Sequence, residues 1–165
     1  MRFLRVARLD DTDEHVYDLA AKVGEPAVPG TFAFTFSDAD PAGLEGKDKQ
    51  AFRHGFLGTR TFGRATVAVI AEIDDGEYKS VIESLAHHFV SVYGAPSLEE
   101  ALPVAREEAE YAAGLCEHEV NTLLAVERAA DNDGIHEAFK VVQPQADWQG
   151  EGKPVRVWDF FREEE

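Results

Sequence analysis

The sequence predicts an α+β domain with an antiparallel or mixed sheet and two main helices packed on one face. Apolar residues recur at helical spacing in two consecutive stretches, residues 75–93 and the segment from residue 97 onward. Segments with strand character lie before and after this pair of helices. Two adjacent helices followed by a hairpin do not make the alternating strand–helix pattern of a doubly wound parallel sheet, so that fold is excluded.

The first 37 residues predict three extended segments. Residues 2–9 are short and apolar and precede an acidic turn, which is typical of an opening strand. Glycines and prolines interrupt residues 15–30 too often for a long helix, so we expect a short extended piece there. Residues 31–37 alternate with a period of two, which would place Phe32, Phe34 and Phe36 on one face of a strand.

The middle of the chain predicts a short helix, a strand and a long helix. A turn at residues 38–44 precedes a helix at 46–52. Residues 65–73 form a nearly continuous apolar, β-branched run, as expected of a central strand buried on both faces. The helix at 75–93 ends where Gly94 and Pro96 follow.

Residues 97–100, Ser-Leu-Glu-Glu, have the form of a capping box and predict the start of a second helix. Pro103 conflicts with this helix because it removes one amide hydrogen bond. Its inner face would carry mostly small side chains: Leu98, Ala101, Leu102, Ala105, Ala109, Ala112, Ala113 and Cys116. Residues 122–130 and 135–142 flank an Asp-Asn-Asp-Gly turn and predict a β-hairpin.

The C-terminal part predicts a last strand at residues 155–161. Large aromatic side chains cluster near this end, namely Trp148, Trp158, Phe160 and Phe161. They would either pack at the edge of the core or form an exposed patch, and an exposed patch would favour self-association.

Size and charge limit the possible functions. A chain of 165 residues fits one domain, residues 1–165, and 44% hydrophobic with 29% charged residues is ordinary globular usage. The net charge of −16 repels phosphate backbones and anionic bilayers, so we expect neither nucleic-acid nor membrane binding. The single cysteine, Cys116, forms no internal disulfide, and no signal peptide or membrane span is evident. These features predict a cytoplasmic protein.

One segment, residues 47–64, reverses the charge pattern. It contains five cations and one acid, interleaved with glycines. Glycine lets backbone amides point into a concavity, and arginine offers two parallel donors, so this basic segment is a candidate site for a phosphate or carboxylate. The candidate ligand-binding residues are Arg53, His54, Arg60 and Arg64, with His54 as a possible acid or base. Alternatively, these arginines pair with some of the chain's 32 acids.

No catalytic or cofactor motif is present in the sequence. The basic segment matches neither a phosphate-binding loop nor the dinucleotide fingerprint, and there is no Gly-x-Ser-x-Gly elbow. The histidines and Cys116 have no spacing typical of a zinc site. The sequence therefore predicts no cofactor and no metal, and it does not decide whether the protein is an enzyme.

Three runs resemble a family of short, uncharacterised bacterial proteins, a domain-of-unknown-function group. They are AFRHGFLGTRTFGRATVAVIAEID, LAHHFVSVYGAP and EVNTLLAVERA, and the likeness spans nearly the whole chain. The resemblance implies a single-domain protein and brings no activity, cofactor or residue role.

Two functional hypotheses follow. The first is a non-enzymatic binding or accessory protein that recognises another protein, or itself, through its sheet and acidic helices. The alternative is a small-molecule anion-binding protein, or an enzyme acting on a phosphorylated or carboxylated substrate, that uses the basic segment.

Overall fold

The structure is a computed structural model that describes residues 1–9, 15–36 and 40–142. It confirms the α+β class. Seven strands form one sheet: β1 (Arg2–Ala7), β2 (Pro26–Val28), β3 (Phe56–Gly58), β4 (Arg64–Ala65), β5 (Val67–Glu72), β6 (Leu123–Asp131) and β7 (Gly134–Val142). The α-helices are α1 (Phe32–Thr35), α2 (Gly46–His54), α3 (Asp75–Tyr93) and α4 (Leu98–Gly114).

The sheet order is β4-β3-β2-β1-β5-β6-β7, and every pair of neighbouring strands is antiparallel. Only Thr66 separates β4 from β5, so one extended segment pairs with β3 through its start and with β1 through its remainder. The sheet therefore curls back on itself at the β4 end. Tyr17 supports this corner, since its hydroxyl lies 2.8 Å from the Thr66 hydroxyl in a buried hydrogen bond.

Helices α3 and α4 pack on each other, and α4 contacts β1 and β2. The Asp74 carboxylate accepts from the Glu77 amide at 2.7 Å and begins α3, which ends at Gly94 in the left-handed conformation. The predicted cap of α4 is present, with the Ser97 hydroxyl accepting from the Glu100 amide at 3.1 Å. The helix continues through Pro103, which is exposed to solvent. The buried face of α4 consists of small side chains, namely Ala101, Ala105, Ala109 and Ala112.

Residues of β5 divide between two apolar clusters, as the alternation of a strand requires. Ala68 and Ile70 belong to the main core beneath the helices, whereas Val67 belongs to a smaller cluster with Ala125 and Val142. The central position predicted for this strand is confirmed, because β5 lies between β1 and β6.

The strand predicted at residues 31–37 is wrong, because Phe32–Thr35 form one helical turn. Phe32 and Phe36 are four residues apart and lie on one side of that turn, where both rings contact Phe89 and Tyr93. Tertiary aromatic packing therefore overrides the local alternation. The predicted hairpin is confirmed as β6 and β7, whereas the predicted strand at 155–161 and the C-terminal aromatic cluster lie outside the described residues.

No helix in the described ranges combines the length and apolar character needed to span a bilayer.

Candidate functional site

Two arginine side chains meet between the end of α2, the loop after β2, and the β6–β7 hairpin. Arg64 comes from β4 and Arg128 from β6, and both donate to the carbonyls of Pro29 and Gly55. The Phe34 ring lies beside both guanidinium groups, with centroid distances of 4.9 Å to Arg64 Cζ and 5.9 Å to Arg128 Cζ.

Arg128 is completely enclosed, with 0% of its side chain exposed. Its Nε donates to Glu137 Oε2 at 2.9 Å and to the Thr31 hydroxyl at 3.0 Å. Its remaining donors meet backbone carbonyls, namely those of Pro29, Ala51, Phe52 and Gly55. Several of these carbonyls are at the negative end of α2, where a cation is favourable. Arg128 thus has both a counter-ion and several backbone acceptors.

Glu137 on β7 collects three donors: Arg128, the Thr31 hydroxyl and the Tyr111 hydroxyl, the last at 2.8 Å. Burial and the Glu137 carboxylate raise the pKa of the Tyr111 phenol, which therefore stays protonated and donates. Burial, with Glu137 and Glu107 nearby, also raises the pKa of Glu108 to about 7.

Arg64 differs from Arg128 because it contacts no carboxylate among the described residues. Its Nη1 donates to Gly55 O at 3.1 Å and more weakly to Pro29 O at 3.5 Å, and its Nη2 donates to Gly30 O at 3.1 Å. Burial, followed by repulsion from Arg128, lowers the pKa of Arg64 to about 9. The part of the chain that the structure describes therefore leaves this positive charge without a counter-ion.

Each arginine lines a cavity, Arg128 a larger one and Arg64 a smaller one. The larger, about 560 Å³, is between α2 and the hairpin, and its charged lining residues are Lys49, Arg53, Arg128, Glu127 and Glu137. The smaller, about 300 Å³, is bounded by Arg64 and by apolar side chains that include Phe34 and Phe62.

The four predicted ligand-binding residues do not share one surface. Arg53 is exposed at the larger cavity, and Arg64 lines the smaller one. His54 is buried, with Nδ1 3.1 Å from Val126 O, and burial lowers its pKa. Arg60 is exposed and pairs with Glu77 at 2.8 Å. The alternative interpretation of these arginines was that they pair with acids of the same chain. Among their described contacts, this interpretation holds for Arg60.

The glycines of the basic segment serve close packing. A Cβ at Gly58 would lie 2.3 Å from Glu25 Oε1, and the same oxygen accepts from the amides of Arg60 and Thr61 at 2.9 Å each. A Cβ at Gly63 would lie 2.6 Å from the backbone of Ala20. The backbone amides at this turn therefore already bind an anion, which is the chain's own Glu25 carboxylate.

Sequence reasoning missed Arg128, Glu137 and Glu25. A signal for Arg128 was available, because alternation along β6 places residue 128 on the same face as Leu124 and Val126, which belong to the main core. Glu137 also had a signal, because the register of the predicted hairpin places it directly opposite Arg128. Glu25 had none, since the amides of Arg60 and Thr61 that it binds lie more than thirty residues away in the sequence. As for metals, no group of three or more His, Cys, Asp or Glu side chains with suitable geometry occurs within the described ranges. His88 instead stacks on Phe62 with a centroid separation of 3.8 Å.

Comparison with known proteins supports the resemblance noted from the sequence. Neither the curated proteins nor the solved structures include a match to this chain. A family model described as "Family of unknown function (DUF6505)" matches residues 1–150. The chain therefore belongs to the DUF6505 family.

Proposed function

We propose that this protein is a non-enzymatic binding or accessory protein that acts through protein–protein contacts, and that the outer edge of β7 is its contact surface. The observation that carries the proposal is a difference between the two ends of the sheet. At the β4 end the sheet curls back on itself, and the bridge between Ala20 and Arg64 covers the strand. At the other end, β7 pairs with β6 on one side and with no described residue on the other.

The β7 edge has few of the features that protect edge strands from pairing. It is nine residues long, contains no proline, and keeps an uninterrupted register with β6 from Gly134 to Val142. Its one lysine, Lys140, forms an ion pair with Glu127 at 2.9 Å. A long regular edge presents free amides and carbonyls that suit a further strand.

An apolar strip runs along the same edge. Alternation places Ile135, Phe139 and Val141 on one face of β7, and all three are partly exposed. The Tyr111 ring of α4 widens this strip, because it contacts Phe139 at a centroid distance of 6.1 Å and is 43% exposed. Phe139 and Val141 also pack against the main core, and a strand that joined β7 would place its own side chains beside the strip and reduce its exposure.

The occupant we propose is β7 of a second copy. In an antiparallel pair about a two-fold axis at Ala138, the two sheets continue into one and the helices stay on the same side. Ile135 of each copy then faces Val141 of the other, which brings β-branched side chains together on the apolar face. On that face, Glu137 of each copy lies opposite Phe139 of the other, so no two like charges face each other.

Size-exclusion chromatography with light scattering tests this pairing. We expect the wild-type chain to dimerise with rising concentration, and the double variant Ile135→Lys/Val141→Lys to be monomeric because it places like charges opposite each other. The matched variant Ile135→Glu/Val141→Lys restores opposite charges in this register and should regain the dimer. Leu19→Lys, an exposed apolar position elsewhere, is the control and should leave the dimer unchanged.

A wild-type chain that stays monomeric at all concentrations would contradict self-association. Equal behaviour of the two double variants would contradict the register. If a different protein supplies the strand, pull-down with the wild-type chain should recover it, and the double lysine variant should not.

The proposed setting is the cytoplasm, without nucleic-acid or membrane binding. Two features support it. The net charge of −16 opposes anionic polymers and bilayers. Cys116 is buried, and burial raises the pKa of its thiol to about 11, as suits an unreactive thiol in a reducing compartment.

A second candidate function is the binding of a small anion through the basic segment. Arg64 favours it, because a partly buried cation without a counter-ion among the described residues gains from an anionic ligand. Thermal-shift measurements with inorganic phosphate, carboxylates, nucleotides and acyl-CoA test this function, since a ligand of the folded state raises Tm by mass action. The absence of any shift would remove it.

A further inference from the structure

We infer that the smaller cavity, beside Arg64, binds a small monocarboxylate with an apolar body. This inference rests on the second candidate function and names its site and ligand class. The cavity of about 300 Å³ is at the lower end of the range for small-molecule sites, and Arg64 is at its wall.

Arg64 has donors to spare on one edge. Its described hydrogen bonds use both donors of Nη1 and one donor of Nη2. The side-on edge of the guanidinium is formed by Nε–H and Nη2; among the described residues, Nε donates to none and Nη2 donates to Gly30 O alone. Two parallel N–H donors match the two oxygens of a carboxylate.

The surrounding backbone holds Arg64 in place before any ligand arrives. The carbonyls of Gly30 and Gly55 each accept a hydrogen bond from Arg64 at 3.1 Å. Because both residues are glycines, no side chain there crowds the arginine. A Cβ at Gly30 would lie 2.9 Å from Arg64 Nη1, and one at Gly55 would lie 3.1 Å from Arg64 Cδ. The Phe34 ring supports the guanidinium at 4.9 Å. A donor fixed in this way loses little conformational entropy when it binds.

The remaining lining decides the ligand class. The apolar part of the wall consists of Leu19, Ala33, Phe34, Leu44, Ala51 and Phe62. The other charged lining residues are Asp18, Lys47 and Asp48. The two carboxylates in the lining repel a multiply charged phosphate more than a monoanion, and the apolar wall favours a hydrocarbon or aromatic body.

The larger cavity suits an anion less. Its buried cation, Arg128, is already paired with Glu137 at 2.9 Å. The other cations of this lining, Lys49 and Arg53, are exposed, so an incoming anion would meet no enclosed cation that lacks a carboxylate partner. Arg53 lines this cavity and supplies a matched control for Arg64.

Isothermal titration and thermal shift on the full chain test the inference, with benzoate, hexanoate and inorganic phosphate as probes. We expect both carboxylates to bind and raise Tm, and phosphate to bind at least tenfold more weakly. Leu44→Trp fills the cavity without touching the hydrogen bonds of Arg64, and it should weaken benzoate binding at least tenfold. Arg64→Gln should do the same, whereas Arg53→Gln should leave the affinity unchanged.

The outcomes separate this inference from the function on which it rests. Anion binding that survives Leu44→Trp and is lost in Arg53→Gln would overturn the site while leaving an anion-binding function. Phosphate binding as tight as benzoate would overturn the ligand class. No binding of any probe to the wild-type chain would overturn both. Circular dichroism of each variant checks that the fold is intact.

Discussion

Arg64 and Arg128 bring the same group into the same part of the protein and share the carbonyls of Pro29 and Gly55. Arg128 also has a carboxylate, Glu137, and its side chain is fully enclosed. Arg64 has carbonyl acceptors alone within the described chain, and it lines a cavity. The difference teaches that burial of a cation does not by itself mark a binding site. The counter-ion distinguishes Arg128, whose charge is neutralised within the fold, from Arg64, whose charge the described residues leave without a carboxylate partner.

Removal of Arg128 should have the largest effect. Arg128→Met leaves the Glu137 carboxylate without its cation and several carbonyls at the end of α2 without a donor. We expect a loss of about 3–5 kcal/mol in the free energy of unfolding, measured by urea denaturation. Arg60→Gln is the control, because the exposed pair with Glu77 should be worth less than about 1 kcal/mol. A loss as small as that of the control would contradict a structural role for Arg128.

Arg64→Met should cost less, because no buried carboxylate is left behind and the Gly55 carbonyl keeps Arg128 as a donor. The lost hydrogen bonds are partly offset by the end of the repulsion between the two arginines. We expect a decrease of at most about 2 kcal/mol in the same urea measurement. If the two methionine variants lost equal stability, the distinction between the arginines would fail.

The smallest expected effect on stability concerns Glu108, which lies near the Glu137 carboxylate that pairs with Arg128. The pKa of Glu108 is raised from 4.5 to about 7 in the folded chain, mainly by burial and then by Glu137 and Glu107. The folded state therefore holds more protons than the unfolded state between these values, so stability falls as pH rises from about 4.5 to 7. Glu108→Gln should match the wild type near pH 4.5 and exceed it at pH 8 by about 1 kcal/mol, once partial exposure is allowed for. Denaturation curves at both pH values measure the difference. A constant offset between the two proteins would contradict the assignment.

Local signals in the sequence predicted much of the fold. Helix α3 was expected at its observed bounds, and α4 was expected to begin where it does, because periodicity, the Ser97 cap and the Gly94 terminus are features of adjacent residues. The hairpin was expected for the same reason, since its turn residues lie between its strands. The failure was the segment with three phenylalanines, whose alternation suits a strand. Its actual turn is stabilised by contacts with Phe89 and Tyr93, more than fifty residues away in the sequence.

The candidate site shows the same division. Composition alone singled out the basic segment and Arg64 within it. It could not separate Arg64 from Arg60, because the difference is a contact between Arg60 and Glu77 on α3. Glycine spacing suggested a concavity for an external anion. In the fold, the Glu25 carboxylate lies against Gly58 and already accepts from the backbone amides of that turn.

The sequence by itself determined the fold class, the paired helices with their caps, the hairpin and the position of an unusual positive segment. The tertiary structure decided that β7 lies at the edge of the sheet, that the β4 end curls back, and that Arg64 contacts backbone carbonyls and no carboxylate among the described residues. The physical reason is the sequence separation between the residues that interact. Helical periodicity, capping and turns depend on residues a few positions apart, whereas sheet edges, cavities and the enclosure of Arg128 depend on which distant segments the fold brings together.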